Sequence, residues 1–199
     1  MQPADIAKSY DQIAHLWDAE SLREYGLAQH ARALAFLEGG QSALDVGCGP
    51  GRIVDFLLKH GFAVEGVDIS PRMLRMARAR HPQVTFHLAD ICQWELPRRY
   101  DFITAWDSLW HVPLACHEAV LRRLLRGLLP GGVMIFSAGG LDAPGEKVDA
   151  SMGPPLYYST LGVPRLTRVI LEEGCVLRHL EYDQHPESHL CVIVQRPKS

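Results

Sequence analysis

Between Ala4 and Leu37 apolar side chains recur at helical spacing, first Ile6, Tyr10, Ile13, Leu16 and Trp17, then Leu22, Leu27, Ala31, Leu34 and Ala35. That period predicts two helices ahead of any strand. The period then shortens and begins to alternate. Ser42–Val46 reads as a strand, 52–60 as a helix, Ala63–Asp68 as a strand, and Pro71–Arg80 as a helix whose start is marked by Ser70 and Pro71. Strands at 84–88 and 101–105, a helix at 116–128 and a strand at 133–137 follow, the last behind the turn Pro130-Gly131-Gly132. The runs FITAW and VMIFSA are apolar at successive positions, as interior strands covered on both faces must be. A stretch rich in Gly and Pro (139–162) reads as a loop or lid. The chain closes with a helix at 164–173 stopped by Gly174, and with strands at 176–182 and 190–194 near enough to pair as a hairpin.

These elements predict an α/β fold: a doubly wound, mostly parallel seven-stranded sheet with helices on both faces, an antiparallel C-terminal hairpin and an N-terminal helical cap. One domain over 1–199 accommodates them, with the cap at 1–40, a ligand-binding core at 41–138, the lid at 139–162 and the last helix and hairpin at 163–199. With 199 residues, 47% hydrophobic and 22% charged, the chain has the size and composition of a single filled core. A net charge of −3 offers no general attraction to polyphosphate. Arg72, Arg75, Arg78 and Arg80 read as a solvated helix face, so no nucleic-acid partner is expected. The five cysteines (Cys48, Cys92, Cys116, Cys175 and Cys191) are odd in number and lack a C-x-x-C pair, which suggests neither a disulfide framework nor a zinc cage. No metal is expected. With no apolar run near the roughly 20 residues that cross a bilayer and no apolar stretch behind a basic start, a cytoplasmic chain without membrane attachment is expected. A homodimer stays open.

Candidate chemistry concentrates after the first strand. Ala43-Leu44-Asp45-Val46-Gly47-Cys48-Gly49-Pro50-Gly51 joins strand to helix through three glycines in five positions, so a ligand can come close to the backbone, and free N–H groups at the helix start favour an anionic group. Asp68 ends the next strand, where a carboxylate can accept from both hydroxyls of a ribose. The dinucleotide fingerprint is G-x-G-x-x-G, whereas this chain has G-x-G-x-G with Arg52 in the place of the third dinucleotide glycine. Asp45 would repel a pyrophosphate but suits an ammonium. A nucleoside that carries an amino acid, S-adenosylmethionine, meets all three demands.

ALDVGCGPGR, GVDIS at 66–70 and LADI at 88–91 resemble the three cofactor motifs of the class I S-adenosylmethionine-dependent methyltransferases. The likeness runs on through YDFITAWDSLWHVP (100–113) and LLPGG (128–132), covering roughly 42–137. It implies a cofactor set of Asp45, Gly47, Cys48, Gly49, Gly51 and Arg52 in the first turn, Asp68 and Ile69 after the second strand, and Trp106 after the fourth. By the same resemblance Asp90 holds the adenine amino group, Ile91 and Met73 lie against the ring, and Tyr10 and Trp17 close over the methionyl end. Met73 and Ile91 taken alone are core residues, and Tyr10 and Trp17 share one helical face that packing alone would explain.

The loop Trp106-Asp107-Ser108-Leu109-Trp110-His111 follows the fourth strand and should face the transferable methyl group. Methyl transfer needs an aligned nucleophile and, for some acceptors, removal of a proton. Asp107 and His111 are the catalytic candidates, although His111 could simply pack beneath the next helix. Methyltransferases of base amines carry an Asn or Asp, two prolines and an aromatic in this loop, and WDSLWHVP does not match. The expected reaction is methyl transfer to a small-molecule acceptor at O, N, S or C, with S-adenosylhomocysteine as product. Tyr157, Tyr158, His185 and His189 are expected to shape the acceptor pocket. Rival readings are a protein or RNA methyltransferase working with a partner, an NAD-type oxidoreductase, and a non-catalytic cofactor-binding domain.

Overall fold

The structure, a computed structural model, describes residues 1–18 and 24–198. The predicted apolar position Leu22 lies outside them. Helix α1 (Pro3–Ile13) opens at Pro3, whose missing N–H costs nothing in a first turn, and runs into a 3-10 turn, Ala14–Asp18. Helix α2 is Leu27–Leu34.

The core alternates as its periodicity demands: β1 (Ser42–Val46), α3 (Arg52–Lys59), β2 (Ala63–Asp68), α4 (Pro71–Arg80), β3 (Thr85–Leu88), β4 (Tyr100–Ala105), α5 (Leu114–Arg126) and β5 (Leu128–Gly139). After β6 (Gly145–Asp149) and β7 (Leu156–Thr160) come α6 (Val163–Glu172), β8 (Val176–Glu181) and β9 (His189–Gln195). Seven strands form one sheet in the order β3-β2-β1-β4-β5-β9-β8. The first five are parallel; β9 runs antiparallel to both β5 and β8. Strand order reverses between β1 and β4, so their carboxyl ends open a crevice there. Apolar clusters fill both faces, one around Leu44, Ile103, Phe136 and Leu121, the other around Val54, Leu57, Phe102 and Ile135. Among the described residues, no helix is long and apolar enough to cross a membrane.

Several element ends differ from expectation by one or two residues, and three differences have a visible cause. Helix α5 starts at Leu114, directly behind Pro113, because the extended Pro113 (φ −52°, ψ 136°) ends the preceding turn and leaves the next residues free to coil. Strand β5 starts at Leu128, ahead of the predicted turn: Pro130-Gly131-Gly132 is an irregularity inside a pairing that goes from Tyr100↔Leu128 to Phe102↔Val133. It is held by Gly131 N–H on Arg196 O (3.0 Å) and Arg196 N–H on Gly132 O (2.9 Å). The segment expected to be a loop or lid contains the antiparallel pair β6 and β7, with Gly145 opposite Thr160 and Asp149 opposite Leu156. Gly153, Pro154 and Pro155 lie in the turn between them, the other Gly and Pro residues of the segment flank the pair or, at Gly145, begin it, and LYYST supplies the β-favouring positions.

Candidate active site

Every predicted cofactor residue except Gly51 lines one cleft at the carboxyl end of β1, β2, β3 and β4, as do Asp107 and His111. The cleft, open mouth included, measures about 1070 Å³, ample for a nucleoside-sized ligand beside a small second molecule. The turn after β1 forms its floor. Gly47 N–H and Cys48 N–H both donate to Val67 O (2.8 and 3.1 Å), which ties the turn to β2. At Gly47 a Cβ would stand 2.3 Å from Ser108 Cβ, so the loop after β4 can sit there only over a glycine. At Gly49 the position of a Cβ is open, its nearest neighbour being Trp17 Cδ1 at 3.9 Å, and φ is +52°. Gly51 turns away from the cleft toward His81, with φ +82°; its role is to start α3, not to line the site.

Asp68 holds the turn in shape. Its Oδ2 accepts from Gly49 N–H and its Oδ1 from Ser70 N–H, each at 2.8 Å. Burial raises its carboxyl above the ordinary range, against these backbone hydrogen bonds, which lower it. Ser70 Oγ caps α4 by accepting from Met73 N–H (3.0 Å) and donates to Asp11 Oδ1 (2.6 Å), which also accepts from Arg72 N–H (3.0 Å). Helix α1 is thereby clamped to the start of α4, which carries Tyr10 over the cleft. Asp90 Oδ1 accepts from Cys92 N–H at 2.9 Å, presenting the acid at the end of β3.

Asp45 is 2% exposed, and among the described residues its Oδ2 has no hydrogen-bond partner. Burial, then the neighbouring Asp68, push its carboxyl up to about 7, with Arg52 pulling the other way. A buried carboxylate oxygen without a donor, beside a glycine turn, fits the ammonium of an amino-acid ligand; a pyrophosphate would raise the cost further.

At the other end, His111 Nδ1 faces Tyr157 O at 2.7 Å and must carry the hydrogen, so Nε2 accepts from Tyr10 Oη–H (2.5 Å) and Trp110 Nε1–H (3.0 Å). Desolvation lowers the ring to about 4. The ring is neutral and both nitrogens are engaged, an arrangement that fixes Tyr10 and leaves no free lone pair for an acceptor. Tyr158 packs on His111 at 4.9 Å, so the two lid tyrosines support His111 and do not line the cleft themselves. Asp107 stands differently: Oδ1 accepts from Ser137 Oγ (3.1 Å) and from His189 Nε2 (3.0 Å). Neither late histidine lines the cleft, and His189 reaches it only through Asp107. Ser137 and Asp183 were not foreseen, since nothing local in their neighbourhoods marks them, and Ser108 lay in the expected loop with no role assigned to it.

Residues 43–132 match the profile of a family described as a methyltransferase domain. A trans-aconitate 2-methyltransferase from Methylobacterium radiotolerans is 41% identical over 100 residues, which is 49% of this chain and 38% of that protein. A ubiquinone biosynthesis O-methyltransferase from Aliivibrio fischeri is 30% identical over 153 residues, 69% of this chain and 63% of that one. The chain thus spans less than two thirds of the length of either curated relative. Among solved structures, the 1,6-didemethyltoxoflavin-N1-methyltransferase of Burkholderia thailandensis, bound to its substrate and S-adenosylhomocysteine, shares the fold with a TM-score of 0.74 at 20% identity, over 98% of this chain and 87% of that one.

Proposed function

We propose, on the premise that residues 43–132 carry a methyltransferase domain in a class I fold, that the chain transfers a methyl group from S-adenosylmethionine to a small-molecule acceptor. The observation that carries this reading is the unpartnered Asp45 Oδ2 beside a glycine turn whose Gly49 leaves open space. In this assignment Asp45 and the turn from Gly47 to Arg52 hold the amino-acid end, Asp68 with Ile69 the ribose, and Asp90, Ile91 and Met73 the adenine. Tyr10, Trp17 and Trp106 enclose the sulfonium. Bound there, the cofactor supplies an electrophilic methyl carbon whose leaving group is a neutral thioether. The protein's share is alignment and exclusion of water. Helix α1, clamped through Asp11, lays Tyr10 across the cleft, and His111 fixes the Tyr10 hydroxyl. Asp107 is the group that meets the acceptor.

The G-x-G-x-G spacing and the unpartnered Asp45 Oδ2, which a pyrophosphate would oppose, favour this reading over an NAD-type oxidoreductase. Five free cysteines among the described residues support a reduced, cytoplasmic setting. Neither nucleic acid nor a membrane enters the reading, and a homodimer would add nothing the cleft lacks. Calorimetry decides it: micromolar binding of S-adenosylhomocysteine with no response to NAD is expected. The reverse preference would end the proposal.

A further inference from the structure

A chain of three charged side chains runs inward from the acceptor end of the cleft. Asp107 Oδ1 faces His189 Nε2 at 3.0 Å, and His189 Nδ1 faces Asp183 Oδ1 at 2.5 Å. Asp183 Oδ2 in turn accepts from Gln29 Nε2 at 2.9 Å. With a carboxylate opposite each ring nitrogen, both nitrogens carry hydrogen and the ring is an imidazolium. Trp106 and Trp110 flank it at 5.3 and 5.4 Å between ring centroids and keep it dry. The side chains of His189 and Asp183 are 7% and 4% exposed, against 29% for Asp107. The triad therefore opens through Asp107, onto the cleft that Asp107 lines.

Asp107 is also the one non-glycine residue with positive φ (52°) among those described. Strain of this kind persists where the surroundings over-determine it, and here Ser137 and His189 both hold the side chain. The charges of the cleft point the same way. Asp45, Asp68, Asp90 and Asp107 line it with Arg52 as the guanidinium. With the first three assigned to the cofactor, the acceptor meets a carboxylate among the rings of Trp106, Tyr10 and Trp17. The His189 imidazolium and the nearby Arg52 guanidinium offset part of that charge, yet the cleft's four carboxylates outnumber its one guanidinium, so the site favours an ammonium over a carboxylate acceptor.

We propose that Asp107, braced by His189 and Asp183, receives the acceptor as a protonated amine and takes its proton, so that the chain methylates nitrogen of small amines. The proposal rests on the methyl-transfer reading above. Asp107 accepts one proton from the ammonium and frees the nitrogen lone pair. The amine nitrogen then bonds to the methyl carbon as the carbon–sulfur bond breaks, and the bonding pair stays on sulfur. The product leaves as an N-methylammonium, and Asp107 returns its proton to solvent. His189 and Asp183 touch no reactant and are positioning residues.

The test uses the full chain saturated with S-adenosylhomocysteine and three probes of like shape, benzylamine, benzyl alcohol and benzoate, followed by NMR shifts of the His189 ring and of the indole N–H of Trp110. Benzylamine is expected to bind about tenfold more tightly than either other probe, as a charged contact among aromatic rings allows. The ratio of amine to alcohol affinity should collapse in Asp107→Asn and fall at least threefold in His189→Gln and Asp183→Asn, an effect general loosening would not produce because it weakens both probes. An alcohol or benzoate that binds as well as the amine, or an amine that fails to saturate, overturns the proposal while leaving methyl transfer intact. An unchanged ratio in the His189 and Asp183 variants overturns the positioning roles. Failure to bind S-adenosylhomocysteine would remove the underlying reading and the proposal together.

Discussion

Ser137 Oγ engages Asp107 twice, accepting its backbone N–H at 2.6 Å and donating to its Oδ1 at 3.1 Å. One hydroxyl on β5 thus holds both the strained backbone and the carboxylate of a residue at the end of β4. Ser137→Ala strands a buried N–H and should cost about 1 to 3 kcal/mol in urea unfolding. It should also weaken amine binding. Stability within a few tenths of wild type would show that the pair fixes nothing.

Asp45 titrates near 7 because it is buried, and an ammonium ligand stabilises its charged form. The free protein must lose a proton to bind, so affinity for S-adenosylhomocysteine should rise with pH up to about 7 and then level. The slope approaches tenfold per pH unit well below that point. Calorimetry in buffers of different ionisation heat should detect the released proton. Asp45→Asn should bind weakly with a flat profile; a flat wild-type profile would refute the assignment.

Gly47 and Gly49 carry different burdens. At Gly47 an added Cβ meets Ser108 Cβ at 2.3 Å, so Gly47→Ala should destabilise the fold by about 1 to 3 kcal/mol. At Gly49 the added atoms enter the cleft, so Gly49→Val should abolish S-adenosylhomocysteine binding, with roughly the 1–2 kcal/mol stability cost of a side chain at positive φ. Retained binding in Gly49→Val would place the cofactor elsewhere.

Asp68 serves the ligand and the turn together. Asp68→Ala removes the acceptor for Gly49 and Ser70 N–H, and is expected to weaken cofactor binding by about 1 to 3 kcal/mol while also lowering Tm. Asp68→Asn keeps one carbonyl oxygen and should fall between. Calorimetry on both variants separates the two burdens, and undiminished binding in either would count against the ribose assignment.

Burial lowers both His30 and His111 from 6.5 to about 4. Each ring is neutral in the folded chain, and the unfolded chain takes up its protons first. Stability from these rings is therefore full above 6.5 and is lost as pH falls toward 4, at about 1.4 kcal/mol per ring per pH unit in the steep part. Asp45 acts in the opposite sense between its ordinary 3.8 and about 7, so the comparison must be with a variant. His30→Gln should unfold less steeply with acid than wild type in denaturant titrations. Equal slopes would contradict the neutral-ring assignment.

Much of this molecule can be read from the chain. The strands Ser42–Val46 and Ala63–Asp68 and the helix Pro71–Arg80 have the ends the sequence predicts, because period, cap and turn residues act over a few positions. Composition misled between 139 and 162: Gly and Pro mark the turn of β6 and β7 but say nothing of the partner that turns LYYST into a strand.

His111 shows a subtler limit. Its place at the cleft follows from the loop after β4, yet its hydrogen-bond state depends on Tyr10 and Tyr157, 101 and 46 residues away. Residue type cannot say whether an imidazole is free or engaged.

The sequence alone determined the glycine bend and the acids Asp45, Asp68 and Asp90. They belong to adjacent parallel strands, and successive βα units bring the ends of such strands to one edge. The tertiary structure decided what stands behind Asp107. Strand β9 enters antiparallel to β5, with His189 opposite Gly139, so its first residue arrives at the edge where the parallel strands finish. Strand pairing is settled by burial across the whole sheet, so no local pattern announces that His189, held by Asp183, will meet a residue 82 positions earlier.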